Sequence, residues 1–285
     1  MKRALALSLL LLPAPALAHG GENHWTLAPA VTLPLVLAAL LYALGLARLW
    51  RRADRGRPAL LRRALCYAAG WLALAGALVS PLHEAGEKSF TMHMIEHEIL
   101  MLLAALLLVA ARPGAALLWA FPQPVRAVLA PAGHWRLWRA LADPFVATAI
   151  QAVAIIAWHM PWLFDLALTG EGWHAAQHLS FIASALLFWW AMLQGRAGPF
   201  VAALCLFATS MIGGGLGALM ALASSPWYSA YAALGMTPAG LTPAEDQQLA
   251  GLIMWVPGGA WHLAAALWFL MRGLNRMEAG HALPR

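Results

Sequence analysis

Charge is what this sequence has least of. Only 11% of its 285 residues are Asp, Glu, Lys or Arg, whereas 62% are hydrophobic. A soluble globular domain carries about 25% charged residues, so an ordinary water-borne fold is excluded and the bilayer becomes the solvent. Cysteine is almost absent as well. Cys66 and Cys205 fall in separate apolar segments with no CxxC pairing, which excludes a disulfide framework and argues against carriage of copper on thiolates. Low-complexity tracts and any separate soluble domain are missing too.

What is present is a series of apolar runs. Seven are long enough to span a bilayer, at about 29–48, 64–80, 93–111, 144–163, 174–193, 199–222 and 248–270. In lipid each segment must satisfy its own backbone, so the expected fold class is all-α, a polytopic transmembrane helical bundle. Ahead of them, Lys2 and Arg3 precede the apolar run Ala4 to Leu12, followed by Pro13, Pro15 and the small-residue stretch Ala16, Leu17, Ala18. This is the pattern of a signal peptide over 1–18, leaving 19–285 as a single transmembrane domain.

The basic residues are sorted between alternate loops. Arg48, Arg51, Arg52, Arg55, Arg57, Arg62 and Arg63 crowd the first connection, Arg112, Arg126, Arg136 and Arg139 the third, Arg196 the fifth, and Arg272, Arg276 and Arg285 the tail. Outside the signal segment, Lys88 alone falls in the opposite set, beside Glu84, Glu87, Asp165, Glu171, Glu245 and Asp246. The positive-inside rule puts the mature N-terminus outside and the C-terminus in the cytoplasm. The net charge of +6 therefore reports topology and not nucleic-acid binding.

Histidines gather at the outer ends of the predicted spans. In FTMHMIEHEILM, His93 and His97 are four residues apart, and so are His174 and His178 in GWHAAQHLSF. Positions i and i+4 share one helix face, so each pair can point at one site. His159 and Met160 lie near the outer end of the next span, and Met101 one turn below His97. Neutral imidazole suits copper, zinc and iron, and thioether sulfur selects Cu(I). The candidate metal ligands are His93, His97, His159, His174 and His178. Met92, Glu96, Met101, Met160, Met254 and His262 are candidate supporting residues, with Glu96 expected to orient an imidazole. His262 is the deep member, beyond Pro257, Gly258 and Gly259, which should kink its helix. If processing leaves His19 first, its amine and imidazole form a further chelating pair.

Blander readings apply to other residues. His83 and His134 read as headgroup-level hydrogen-bonding groups, and Glu98 as a side chain reaching for the interface. Trp158, Trp162, Trp173, Trp227 and Trp255 read as an aromatic belt, and Met94, Met192, Met211 and Met220 as core filler.

At these residues the chain resembles the caa3-type CtaG family of cytochrome c oxidase assembly proteins. The likeness rests on MHMIEHEILMLLAALLLVAARP, on AWHMPWLFDLALTGEGWHAAQHLSFIASALLFWW and on SPWYSAYAALGMTPAGLTPAEDQQLAGLIMWVPGG, in that order. It implies a bundle of about seven helices in a bacterial cytoplasmic membrane that helps mature a haem-copper oxidase by handling copper at the outer face. His93, His97, His159, His174 and His178 match the family's histidines, and Asp165 its acidic residue. The partners so implied are oxidase subunits and periplasmic copper donors, and the role is not that of an enzyme.

Two other readings remain open at this level. Facing imidazole pairs could ligate haem b for electron transfer. Alternatively, the chain imports copper or serves as a metal-free scaffold, with the glycines of MIGGGLGALM forming a packing surface.

Overall fold

The computed structural model describes residues 25–53, 55–130, 136–195 and 197–281. The signal segment, His19 and His134 lie outside them. The chain runs α1 (Pro29–Trp50), α2 (Arg57–Val79), α3 (Pro81–Lys88) and α4 (Phe90–Glu98). A π-helical segment, Ile99–Ala104, joins α4 to α5 (Ala105–Ala110). Three short helices follow, α6 (Gly114–Trp119), α7 (Gln123–Leu129) and α8 (Arg136–Leu141), and then α9 (Pro144–Trp158), α10 (Pro161–Thr169), α11 (Glu171–Leu193) and α12 (Pro199–Leu222). After α13 (Ser229–Leu234) and α14 (Pro243–Ile253), a second π segment, Met254–Gly258, leads into α15 (Gly259–His281). No strand occurs among the described residues.

Among the described residues, five helical stretches are long and apolar enough to cross a membrane, and up to seven if each of two bent pairs counts as one span. These correspond to the seven runs of the sequence. The last begins earlier than expected, at Pro243, and α2 begins at Arg57.

Proline sets both bends. A residue before proline is pushed out of the helical region, and Ser80 (ψ 171°) and Met160 (ψ 128°) are extended ahead of Pro81 and Pro161. The chain turns by 45° between α2 and α3 and by 74° between α9 and α10. The helix expected over 144–163 therefore ends at Trp158, and His159 sits at its C-cap.

The two π segments have separate causes. Ala105 N–H bonds to Leu100 O, one residue further back than in an α-helix, which leaves Met101 O free. Trp189 Nε1–H takes that carbonyl at 2.9 Å. The second segment contains Pro257, whose missing N–H opens the ladder, so the anticipated kink takes the form of a π turn.

Small residues bring α12 and α14 into backbone contact. A β-carbon on Gly217 would stand 2.7 Å from Gly251 O, and one on Gly251 2.5 Å from Gly217 O. Glycine packing here is internal to the bundle. At the end bearing the arginine-rich connections, Arg48 Nη1 donates to Trp119 O (3.0 Å) and Ala120 O (2.7 Å), capping α6, while Arg126 lies over the Trp119 ring.

The main core holds Phe90, Phe164, Phe181, Phe188, Trp189, Tyr228 and Tyr231, all buried. Met94, Met192 and Met220 belong to it as expected, but Met211 is exposed, on the outside of α12. Of the tryptophans read as a belt, Trp162, Trp173 and Trp255 are exposed. Trp158 is buried, with its indole N–H donated to Ser180 Oγ.

Candidate metal centre

Two helix starts supply the imidazoles. Ser89 caps α4, its Oγ accepting from Met92 N–H, so that His93 and His97 project from the first turns. Glu171 opens α11, with His174 and His178 in its first two turns. Within each pair the Nε2 atoms approach closely, at 3.0 Å for His93 and His97 and 3.2 Å for His174 and His178. The pairs face each other: the His93 and His174 rings are 5.3 Å apart and nearly parallel, and those of His97 and His178 are 5.1 Å apart and perpendicular.

His83 completes the group, contrary to the reading of it as an isolated interfacial residue. The bend at Pro81 lays α3 along α4, and the His83 ring comes within 5.2 Å of His174 and 5.6 Å of His178. Its Nδ1–H donates to Glu96 Oε1 at 2.9 Å, and the same oxygen lies 3.7 Å from His178 Nε2. Glu96 is completely buried, and its carboxyl group is placed to orient imidazoles.

Donor atoms converge in two triads, His83, His174, His178 and His93, His97, His178, with the atoms of each triad within 4.8 Å of one another. Metal–nitrogen bonds of about 2.0 Å place trigonal donors roughly 3.5 Å apart, so either triad can close on one ion with small ring movements. His178 belongs to both. The first triad is half-buried at two of its positions, whereas the second is wholly buried.

Several imidazoles are already oriented for ligation. Tyr231 O–H donates to Gly86 O, so its 3.0 Å contact with His93 Nδ1 has the ring N–H as donor. The Nε2 lone pair of His93 is then turned toward His97. His159 Nδ1–H donates to Ile155 O at 2.7 Å, leaving a buried Nε2 without a partner. His159 nonetheless stands outside both triads, its ring 6.3 Å from Phe181, which itself packs on His97 at 4.8 Å. Gln177, between the α11 histidines, is fully buried.

Two acids hold the frame. Asp246 is no loop residue: it lies buried in α14 and accepts from Ser89 Oγ (2.8 Å), Phe90 N–H (2.6 Å) and Thr91 N–H (3.2 Å), clamping the start of α4. Asp165 accepts from Ser229 N–H (3.0 Å), Ser229 Oγ (2.6 Å) and Ala230 N–H (3.1 Å), satisfying the first donors of α13. That helix carries Tyr231, so Asp165 acts on His93 from a distance. Nothing in the local pattern of the sequence marks Tyr231 or the clamp by Asp246.

The remaining predicted residues scatter. Met92 is half-buried in the first turn of α4, and Met160 is 48% exposed, away from the triads. Met101, Met254, His262 and Glu98 line a separate, deeper cavity, so Glu98 does not reach for the interface.

A family model described as cytochrome c oxidase caa3 assembly factor matches residues 40–276. No curated protein and no solved structure matches the chain.

Proposed function

The chain belongs to the cytochrome c oxidase caa3 assembly factors, and from that premise we propose that it binds copper through the imidazole cluster and delivers it to the oxidase. The observation that carries this reading is the pair of triads sharing His178. Neutral imidazoles suit copper, and Glu96 supplies one negative charge to offset a monovalent ion taken out of water. Copper here is cargo.

A shared ligand gives delivery a path. An ion held by His83, His174 and His178 can exchange two ligands for His93 and His97 while His178 keeps hold of it. It thereby moves from the half-buried triad to the buried one without passing through a free state. His159, with an open Nε2 behind Phe181, is a supporting residue in this reading.

Haem fits less well. A macrocycle between facing imidazoles needs a flat slot, and that space is filled by the stacked rings of His93 and His174. Within the family role, the copper-binding end faces the periplasm of a bacterial cytoplasmic membrane, where periplasmic donors would supply it.

The test is metal analysis of detergent-purified protein after anaerobic Cu(I) loading, with a visible spectrum, beside the His93→Ala, His97→Ala variant. Bound copper that falls in the variant, with no Soret band, is the expected result. Protein that takes up no copper, together with fully assembled oxidase in cells lacking this chain, rejects the proposal.

A further inference from the structure

Below the imidazole cluster, where α4 gives way to its π segment, the bundle holds a small, mostly apolar cavity with a few polar groups in its wall. Its lining includes Glu98, Met101, Gln151, Ser210, Met254 and His262, and its volume of about 20 Å³ admits one water-sized guest. Both π segments border it, one directly after Glu98 and the other directly before Gly259. Such irregularities in membrane helices cluster at functional sites.

The chemistry of the lining is one-sided. Gln151 is 3% exposed, and its Oε1 has no hydrogen-bond donor. Glu98 Oε2 is likewise shielded and unpaired. Gln151 Nε2 is spent on Met101 Sδ at 3.7 Å. His262 donates Nδ1–H to Gly258 O at 3.0 Å, which leaves Nε2 as its open lone pair. Open lone pairs on Gln151 and His262 thus meet a carboxyl group that is costly to ionise at membrane depth unless a cation lies beside it. Room for it was made in the backbone: a β-carbon on Gly258 would stand 2.7 Å from Glu98 Oε2.

We infer that this cavity is a second copper site, binding a single Cu(I) ion between the Met101 and Met254 thioethers, the His262 imidazole and the Glu98 carboxylate. Thioether and imidazole together select Cu(I) over harder cations, and the carboxylate balances its charge. Met101 follows His97 by one turn on the same face, about 6 Å along the helix, so the site lies directly beneath the buried triad. The identity of the ion rests on the copper reading of the outer cluster, whereas the geometry of the cavity stands alone. A single buried water would also satisfy two orphan acceptors, and the experiment separates the two occupants.

The experiment is anaerobic Cu(I) loading of the full chain in detergent, competition against a Cu(I) indicator, and X-ray absorption at the copper edge. The Met101→Leu, Met254→Leu variant preserves side-chain volume and leaves the outer imidazoles intact. We expect wild type to hold one more Cu(I) than this variant, with sulfur scattering that the variant loses. Copper bound in equal amount by both, with nitrogen scattering alone, assigns the cavity to water and overturns the inference while the outer site stands. Copper lost entirely in the variant supports the deep site and overturns the outer one. No copper in either protein overturns both.

Discussion

His178 is the residue on which the two triads turn, and its neighbours show what holds an imidazole ready. The longest-range orientation belongs to His93, whose ring is set by Tyr231, a residue 138 positions away. Partners of this kind are worth about 10–100-fold in metal affinity. Tyr231→Phe keeps the aromatic packing against Phe90 and removes only the hydroxyl. Its Cu(I) affinity should fall by about that factor in indicator competition, with unchanged stoichiometry. Unchanged affinity would mean that the ring is held by packing alone. The i,i+4 pairs were legible because helical periodicity converts spacing into a shared face. His83 was not, because its approach depends on the bend at Pro81 and on a carboxylate in the next helix. Tyr231 and Asp165 were illegible for the same reason: their effect travels through α13, which has no meaning until the chain folds back on itself.

Helices position the site through their ends. Ser89, Phe90 and Thr91 all direct donors at Asp246, so this one side chain ties the start of α4 to α14. Asp246→Ala strands those donors in a buried setting, where each unsatisfied group costs about 1–3 kcal/mol. The variant should show a clearly lowered unfolding temperature in detergent and weakened Cu(I) binding. Asp246→Asn, which keeps one accepting oxygen, should lose less on both measures, and equal behaviour of the two would assign the clamp to charge alone. The first π segment makes a second prediction. Trp189→Phe leaves Met101 O without its donor and should destabilise the protein by about 1–3 kcal/mol. Restored stability would mean that the segment relaxes to an α-helix. Of the elements, the seven spans were readable from apolar length, and the kink near His262 from Pro257 and its glycines. The break at His159 was not taken from Pro161, although proline geometry dictates it, and the π turn before α5 has no sequence mark apart from a distant tryptophan.

At the scale of the whole molecule, charge and chemistry lie at opposite ends. The α4 to α5 stretch begins with His93 and His97 and ends just before Arg112, and α2 begins at Arg57 and ends at the bend that delivers His83. The arginine connections and the imidazoles therefore cannot face the same water, whichever way the bundle sits. Under the proposed copper role, the positive-inside rule predicts that copper arrives from the periplasmic side. Single cysteines on a Cys66→Ala, Cys205→Ala background test this directly, using Glu171→Cys at the head of α11 and Arg55→Cys in the first connection, both exposed. A membrane-impermeant maleimide should label the first in intact cells and the second only after the membrane is opened. The reverse pattern would leave the triads as they are but turn them toward the cytoplasm. The copper would then have to come from inside the cell, and a periplasmic donor would have no surface to meet.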